Sequence, residues 1–130
     1  MPADVEFVNK SQEAIQLVAT QNDNPSVQLA TIAPGASFSH QLPDGWSGNF
    51  RHNGSEGITL FEISVKANDG NVYYDLSVID GFNVPMKLQA PDGTYLEALN
   101  GQAPDAYLFP TDDTKTHGGP EGKFVLTFEY

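Results

Sequence analysis

The chain has no cysteine among its 130 residues. That removes disulfide frameworks, thiolate catalysis and zinc ribbons from consideration. It also leans toward a reducing compartment, a lean weakened by the many secreted proteins that do without disulfides. No apolar run approaches the length of a membrane-spanning helix, and the N-terminus lacks the basic and apolar regions of a signal peptide. If the protein is exported, the sequence reads as the mature form behind an added Met1. Basic residues are scarce, 6 against 17 acidic ones, for a net charge of −11. Such a surface argues against nucleic acid or an anionic membrane as partner and favours a neutral or cationic one. The three-and-four spacing of a long amphipathic helix is missing, as are internal repeats and low-complexity tracts.

What is present points to strands. Nine Pro and twelve Gly lie spread between short apolar runs, a pattern of many turns that predicts an all-β fold, an antiparallel β-sandwich. The length suits a single domain over 1–130 with a real core. Val5 and Phe7, then Ala14 to Ala19, alternate with polar residues as two strands joined by a turn at Asn9 to Glu13. Val27, Leu29 and Ile32 read as a third strand. Pro34 and Gly35 fit a type II turn, after which Phe38, His40 and Leu42 alternate. From Trp46 the apolar or small set is Trp46, Gly48, Phe50 and His52, leaving Asn49 and Arg51 on the polar side. Leu88, Tyr95, Leu96 and Leu99 suggest a short hairpin or an irregular excursion, and Asp105 to Phe109 one more short strand or turn. Asp112 to Gly122 reads as polar loop, and Phe124, Leu126, Phe128 and Tyr130 as a terminal strand that closes a sheet.

The stretch from Ile58 to Met86 carries the clearest pattern. Phe61, Ile63 and Val65 share one face of a strand and Leu60, Glu62 and Ser64 the other; in the next strand Val72, Tyr74, Leu76 and Val78 oppose Tyr73, Asp75 and Ser77. Asn68, Asp69 and Gly70 between them are a hairpin signal. With both apolar sets on one face, two registers remain: a loop centred on Asn68 and Asp69 sets Glu62 opposite Asp75, and one centred on Asp69 and Gly70 sets Glu62 opposite Ser77. Either leaves the two carboxylates on the non-core face, about 5–8 Å apart at the backbone, where like charges repel. Asp80 has the wrong parity to join them. Two readings stay open for it: Gly81 bends the strand and swings Asp80 toward the other acids, or the two residues form an ordinary turn.

Tyr73 to Met86, YYDLSVIDGFNVPM, resembles the signature of the thaumatin-like proteins, the pathogenesis-related group that includes osmotin. VEFVNKS from Val5 resembles the family's opening strand, with Ser11 where the family has Cys. TLFEISV from Thr59 resembles the segment carrying its Glu, and PDAYLFPTDDTKT from Pro104 followed by KFVLTF from Lys123 its closing segment, with Ala103, Gly118 and Gly119 near expected Cys positions. The resemblance implies the β-sandwich of the family's central domain. The disulfide-rich loop domain, which would fall between Met86 and Ala103, is nearly gone, and with it the far wall of the family's acidic cleft. The near wall carries over onto Arg51, Glu62, Asp75, Asp80 and Asp112. A guanidinium between carboxylates keeps some ionised, while crowding and burial push another one up.

The function implied is that of a secreted, defence- or virulence-associated protein that binds cell-wall β-1,3-glucan, with Trp46, Tyr73, Phe82 and Tyr95 as stacking faces unless they belong to the core. One alternative is a weak endo-β-1,3-glucanase with Glu62 as proton donor and Asp75 or Asp80 as nucleophile or base. Another is an elicitor or effector that meets a host protein through exposed loops. Several acids and the Asp69, Gly70, Asn71 turn offer oxygens to a divalent cation, but no stretch has EF-hand spacing, and His40, His52 and His117 lack metal spacing. Neither a metal nor a cofactor is expected. Asn9 and Asn53 stand in N-x-S sequons.

Overall fold

Alternation in the sequence becomes strands in a computed structural model that describes residues 3–54, 57–66 and 70–129. β1 (Ala3–Asn9) turns Ala3, Val5, Phe7 and Asn9 inward and Asp4, Glu6 and Val8 outward. β2 (Ile15–Gln21) pairs with β3 (Val27–Ile32) around a bulge at Leu17 and Val18. The chain then passes to β4 (Ser37–Leu42) through the expected turn, where Gly35 takes φ +81° and Ala36 N–H donates to Ala33 O at 3.0 Å. β5 (Ser47–His52), β6 (Leu60–Lys66) and β7 (Asn71–Ser77) run as an antiparallel meander. β8 (Met86–Gln89) and β9 (Tyr95–Ala98) form the short hairpin, and β10 (His117–Pro120) and β11 (Gly122–Phe128) complete the set.

These strands make two sheets, ordered β4-β1-β11-β8-β9 and β10-β7-β6-β5-β2-β3. The fold is the all-β sandwich that the turn density predicted. Its inner faces meet in one aromatic-rich core, with Phe7 and Phe50 centroids 5.0 Å apart and Phe124 edge-on to Tyr74 at 5.2 Å. Each such fully buried ring stabilises the fold by ~1.5–3 kcal/mol. No helix of the described residues is long and apolar enough to cross a membrane.

Two segments differ from their sequence reading, and a third takes one of its two alternatives. Within the stretch read as loop from Asp112 to Gly122, β10 pairs antiparallel with β7, His117 opposite Tyr74 and Pro120 opposite Asn71. Two glycines and a proline have low strand propensity, but at an edge Pro costs no ladder bond, and Gly118 makes room for a ring: a Cβ there would lie 2.8 Å from Tyr73 Cε1. The terminal strand β11 is central, between β8 and a parallel β1. Asp105 to Phe109 takes the turn alternative and touches the sheet through a parallel bridge, Tyr107 to Ser77. The hairpin residues Asn68 and Asp69, and Tyr130, lie outside the described residues.

Hydrogen bonds take up the corner where the family resemblance calls for Cys. Asn9 is fully buried, and its Nδ2 donates to Glu13 O and Ile32 O, both at 2.8 Å. Its Oδ1 accepts from Ser11 N at 2.9 Å and Ser11 Oγ at 2.6 Å. With both amide hydrogens engaged in the interior, the sequon at Asn9 is closed to glycosylation in the folded chain.

Candidate functional site

Strand pairing lays the polar residues of β5, β6 and β7 in rows across the outer face of the second sheet. Asn49 is opposite Glu62 and Glu62 opposite Asp75; one row along, Ser47 is opposite Ser64 and Ser64 opposite Tyr73. Ser47 and Ser64 share a 2.6 Å hydrogen bond, and Asn22 Nδ2 donates to Ser47 Oγ at 3.2 Å. Together with Thr116 these residues line a cleft of about 290 Å³. Its lining is mostly hydroxyl, amide and carboxyl.

Asp75 sits at the buried end of that row. The chain leaves the edge of β7 after Tyr107, opposite Ser77, and rejoins it at His117, opposite Tyr74, so the intervening segment passes Asp75. Tyr107 and Thr116 close the segment with a 2.7 Å hydroxyl–hydroxyl bond. Asp75 is left only 9 % exposed, and its Oδ1 is buried with no hydrogen-bond partner among the described residues. Burial first, and then the Glu62 carboxyl as hydrogen-bonding and charged neighbour, push its pKa up to about 9, against a smaller opposing effect of a Thr116 hydrogen bond. At neutral pH the pair therefore holds a proton. An O–H donor beside a carboxylate acceptor, at the floor of a polar cleft, can grip a hydroxyl group from both directions.

The remaining predicted residues stand apart from that pair. Arg51 projects from β5 on the same face, but its guanidinium is turned toward β2, donating to Thr20 Oγ1 at 2.8 Å, Asn49 Oδ1 at 2.7 Å and Ser26 Oγ at 3.1 Å. Among the described residues it forms no ion pair. Through Asn49 it fixes the residue opposite Glu62. Asp80 is exposed in a turn from Val78 to Gly81, closed by Gly81 N–H to Val78 O at 3.1 Å, and does not line the cleft. That is the ordinary-turn reading, enforced by Gly81 at φ +103°, where a Cβ would come within 2.6 Å of Gly57 Cα. Asp112 also lies off the cleft lining. It accepts from Thr114 Oγ1 at 2.6 Å and Thr114 N at 2.9 Å, bonds that hold its carboxyl below the usual range.

Of the four aromatic residues considered for stacking, Tyr73 alone lines the cleft. Trp46 is 7 % exposed and stacked on Phe50 at 5.0 Å, Phe82 packs against the core, and Tyr95 stands on β9 of the other sheet. Sequence reasoning missed Ser47, Asn49, Ser64 and Thr116 as cleft residues. The first three had a usable signal, since they share parity with Arg51 or Glu62. Among the described residues no group of His, Asp and Glu has the geometry of a metal site.

No family profile matches the chain. A thaumatin-like protein of Oryza sativa subsp. japonica is 44% identical over 64 residues, covering 49% of this chain and 35% of that protein. Thaumatin-like protein 1b of Malus domestica is 43% identical over 70 residues, 52% of this chain and 32% of the relative. Thaumatin-like protein 1 of Prunus persica is 28% identical, covering 71% of this chain and 50% of the relative. The chain thus spans between about a third and a half of the length of these relatives. Among solved structures, the thaumatin-like xylanase inhibitor superposes with a TM-score of 0.77 at 17% identity, over 95% of this chain and 97% of its own. A protein elicitor from Magnaporthe oryzae gives 0.75 at 17% identity, over 98% and 99%.

Proposed function

From a chain that is thaumatin-like in sequence over about half its length and in fold over nearly all of it, we propose a polysaccharide-binding protein that holds neutral β-1,3-glucan in the Glu62–Asp75 cleft. The observation that carries this reading is a buried Asp75, one of its carboxyl oxygens without a hydrogen-bond partner, in the lining of a polar cleft beside Glu62. A buried carboxyl oxygen without a partner costs about 1–3 kcal/mol, and a ligand hydroxyl supplies the missing bond. Sugars offer many hydroxyls at fixed angles, and Ser47, Ser64 and Asn49 provide further partners along the row. Tyr73 gives the apolar face of a ring something to lie on. A net charge of −11 disfavours anionic polymers and is compatible with a neutral one. The names of the pathogenesis-related relatives support placing the protein outside the cell, in defence or virulence.

Depletion by insoluble β-1,3-glucan tests the reading. The protein is retained on the polymer, Glu62→Gln and Asp75→Asn variants are not, and free retention of both variants would remove the cleft from the account.

A second reading, weak endo-β-1,3-glucanase activity, is favoured by one feature: a protonated Asp75 directly across from Glu62. A carboxyl whose pKa burial has raised, beside a second carboxyl, is an arrangement glycoside cleavage can use. In this reading Asp75, whose carboxyl burial holds in the protonated form, is a second candidate for the proton donor beside Glu62, and the other of the two serves as nucleophile or base. New reducing ends from laminarin, lost in Asp75→Asn, are the readout.

A further inference from the structure

The two sheets part along the side where β3 and β4 are edge strands, and the gap is a groove of about 360 Å³, well away from the acid cleft. Its walls are Pro25, Val27 and Leu29 on one side and His40 on the other, with Trp46 at the base. The amide side chains of Gln21 and Asn24 stand at its rim. None of its lining residues is Asp, Glu, Lys or Arg, in a chain that carries 17 acids. Val27 is 54 % exposed there, an apolar residue that a closed sandwich edge would cover.

His40 is the titratable group of the lining. Its ring stacks with Phe38 at 6.3 Å and meets the edge of Phe50 at 6.1 Å, so its orientation is held by aromatic packing. Among the described residues its two nitrogens have no hydrogen-bond partner. Burial lowers its pKa, which leaves the ring neutral at pH 7, with one N–H donor and one bare acceptor nitrogen. A largely apolar slot of this volume with a few polar groups, the His40 ring among them, has the make-up of a small-molecule site.

We propose that the β3–β4 groove binds an uncharged phenol-like compound, its flat ring between Val27, Leu29 and Trp46 and its hydroxyl on His40. A sugar does not suit this site, since most of its hydroxyls would lose water without gaining a partner. A carboxylate does not suit it either, because no cation lines the groove to receive it.

Trp46 is the single tryptophan of the chain, so its indole N–H gives one resolved proton signal from the groove itself. Titrating the full chain with 4-methylphenol shifts that signal saturably. Val27→Glu, at an exposed position, and His40→Phe, which keeps the ring stack, each weaken binding by about tenfold. Glu62→Gln leaves it unchanged. Benzoate and 4-methylanisole, which lacks the donating hydroxyl, bind about tenfold more weakly than 4-methylphenol. A shift that grows linearly without saturating, or saturates equally in Val27→Glu, overturns the site. Equal affinity for 4-methylanisole overturns the role of His40.

Discussion

Glu62 and Asp75 are direct cross-strand partners on β6 and β7, and only one of them is deeply buried. The asymmetry arises outside the hairpin, from the segment between Tyr107 and His117 that covers Asp75 and leaves Glu62 half-exposed to the cleft. Burial of the one carboxyl favours its protonated form.

That asymmetry makes stability depend on pH. The folded-state pKa of Asp75, about 9, lies above its unfolded value of 3.8, so between those values the folded chain holds a proton that the unfolded chain has released. Its stabilising contribution is fully present below pH 4, falls as pH rises, and is gone once pH passes about 9. Asp75→Asn removes the titration. Urea denaturation at pH 4, 6 and 8 should show wild type weakening across the series, by up to about 1 kcal/mol per pH unit, and the variant nearly level.

Gly118 seats the Tyr73 ring beside the cleft, and a Cβ there would approach Tyr73 Cε1 to 2.8 Å and Cδ1 to 3.0 Å. Gly118→Ala therefore displaces the ring, at a cost of about 1–3 kcal/mol if β10 stays paired. Glucan affinity should fall in this variant while Asp75 keeps its raised pKa, a separation that binding and pH-dependent unfolding measured together will reveal.

The buried amide of Asn9 ties β1 to the turn before β2 and to the end of β3 through four hydrogen bonds. Asn9→Ala strands the carbonyls of Ile32 and Glu13 as well as leaving a void. A loss of about 2–4 kcal/mol in thermal or denaturant unfolding is expected. Ser11→Ala, which removes the hydroxyl's bonds to Asn9 Oδ1 and Glu13 O but keeps the Ser11 N–H bond, should cost about half as much.

Arg51 acts on the cleft through Asn49, since its guanidinium bonds to Asn49, Thr20 and Ser26 and not to a carboxylate. Arg51→Ala should lower glucan affinity several-fold with little change in the pH dependence of stability. A large shift in that pH dependence would mean that Arg51 neutralises the acids directly.

Alternation made much of this legible. The parity of Phe61, Ile63 and Val65 against Tyr74 and Leu76 left only registers that keep Glu62 and Asp75 on one face, and the structure takes the one in which they are opposite. What alternation does not carry is burial on the outer face, because the residues that cover Asp75 lie more than thirty positions later in the chain. β10 was hidden because Gly118, Gly119 and Pro120 have no strand propensity of their own and pair only where Tyr73 and β7 offer a fit. Arg51 was placed on the correct face, yet parity cannot say whether a long side chain leans toward β6 or β2. For Asp80 the deciding residue was Gly81, whose positive φ completes a turn and ends β7's register.

Amide chemical-shift mapping with a soluble β-1,3-linked oligosaccharide addresses the glucan cleft most directly. Saturable shifts centred on Asn49, Glu62, Ser64, Tyr73 and Asp75, abolished by Asp75→Asn, are the predicted result. Shifts confined to the other sheet around Tyr95, or none at saturating sugar, would contradict it.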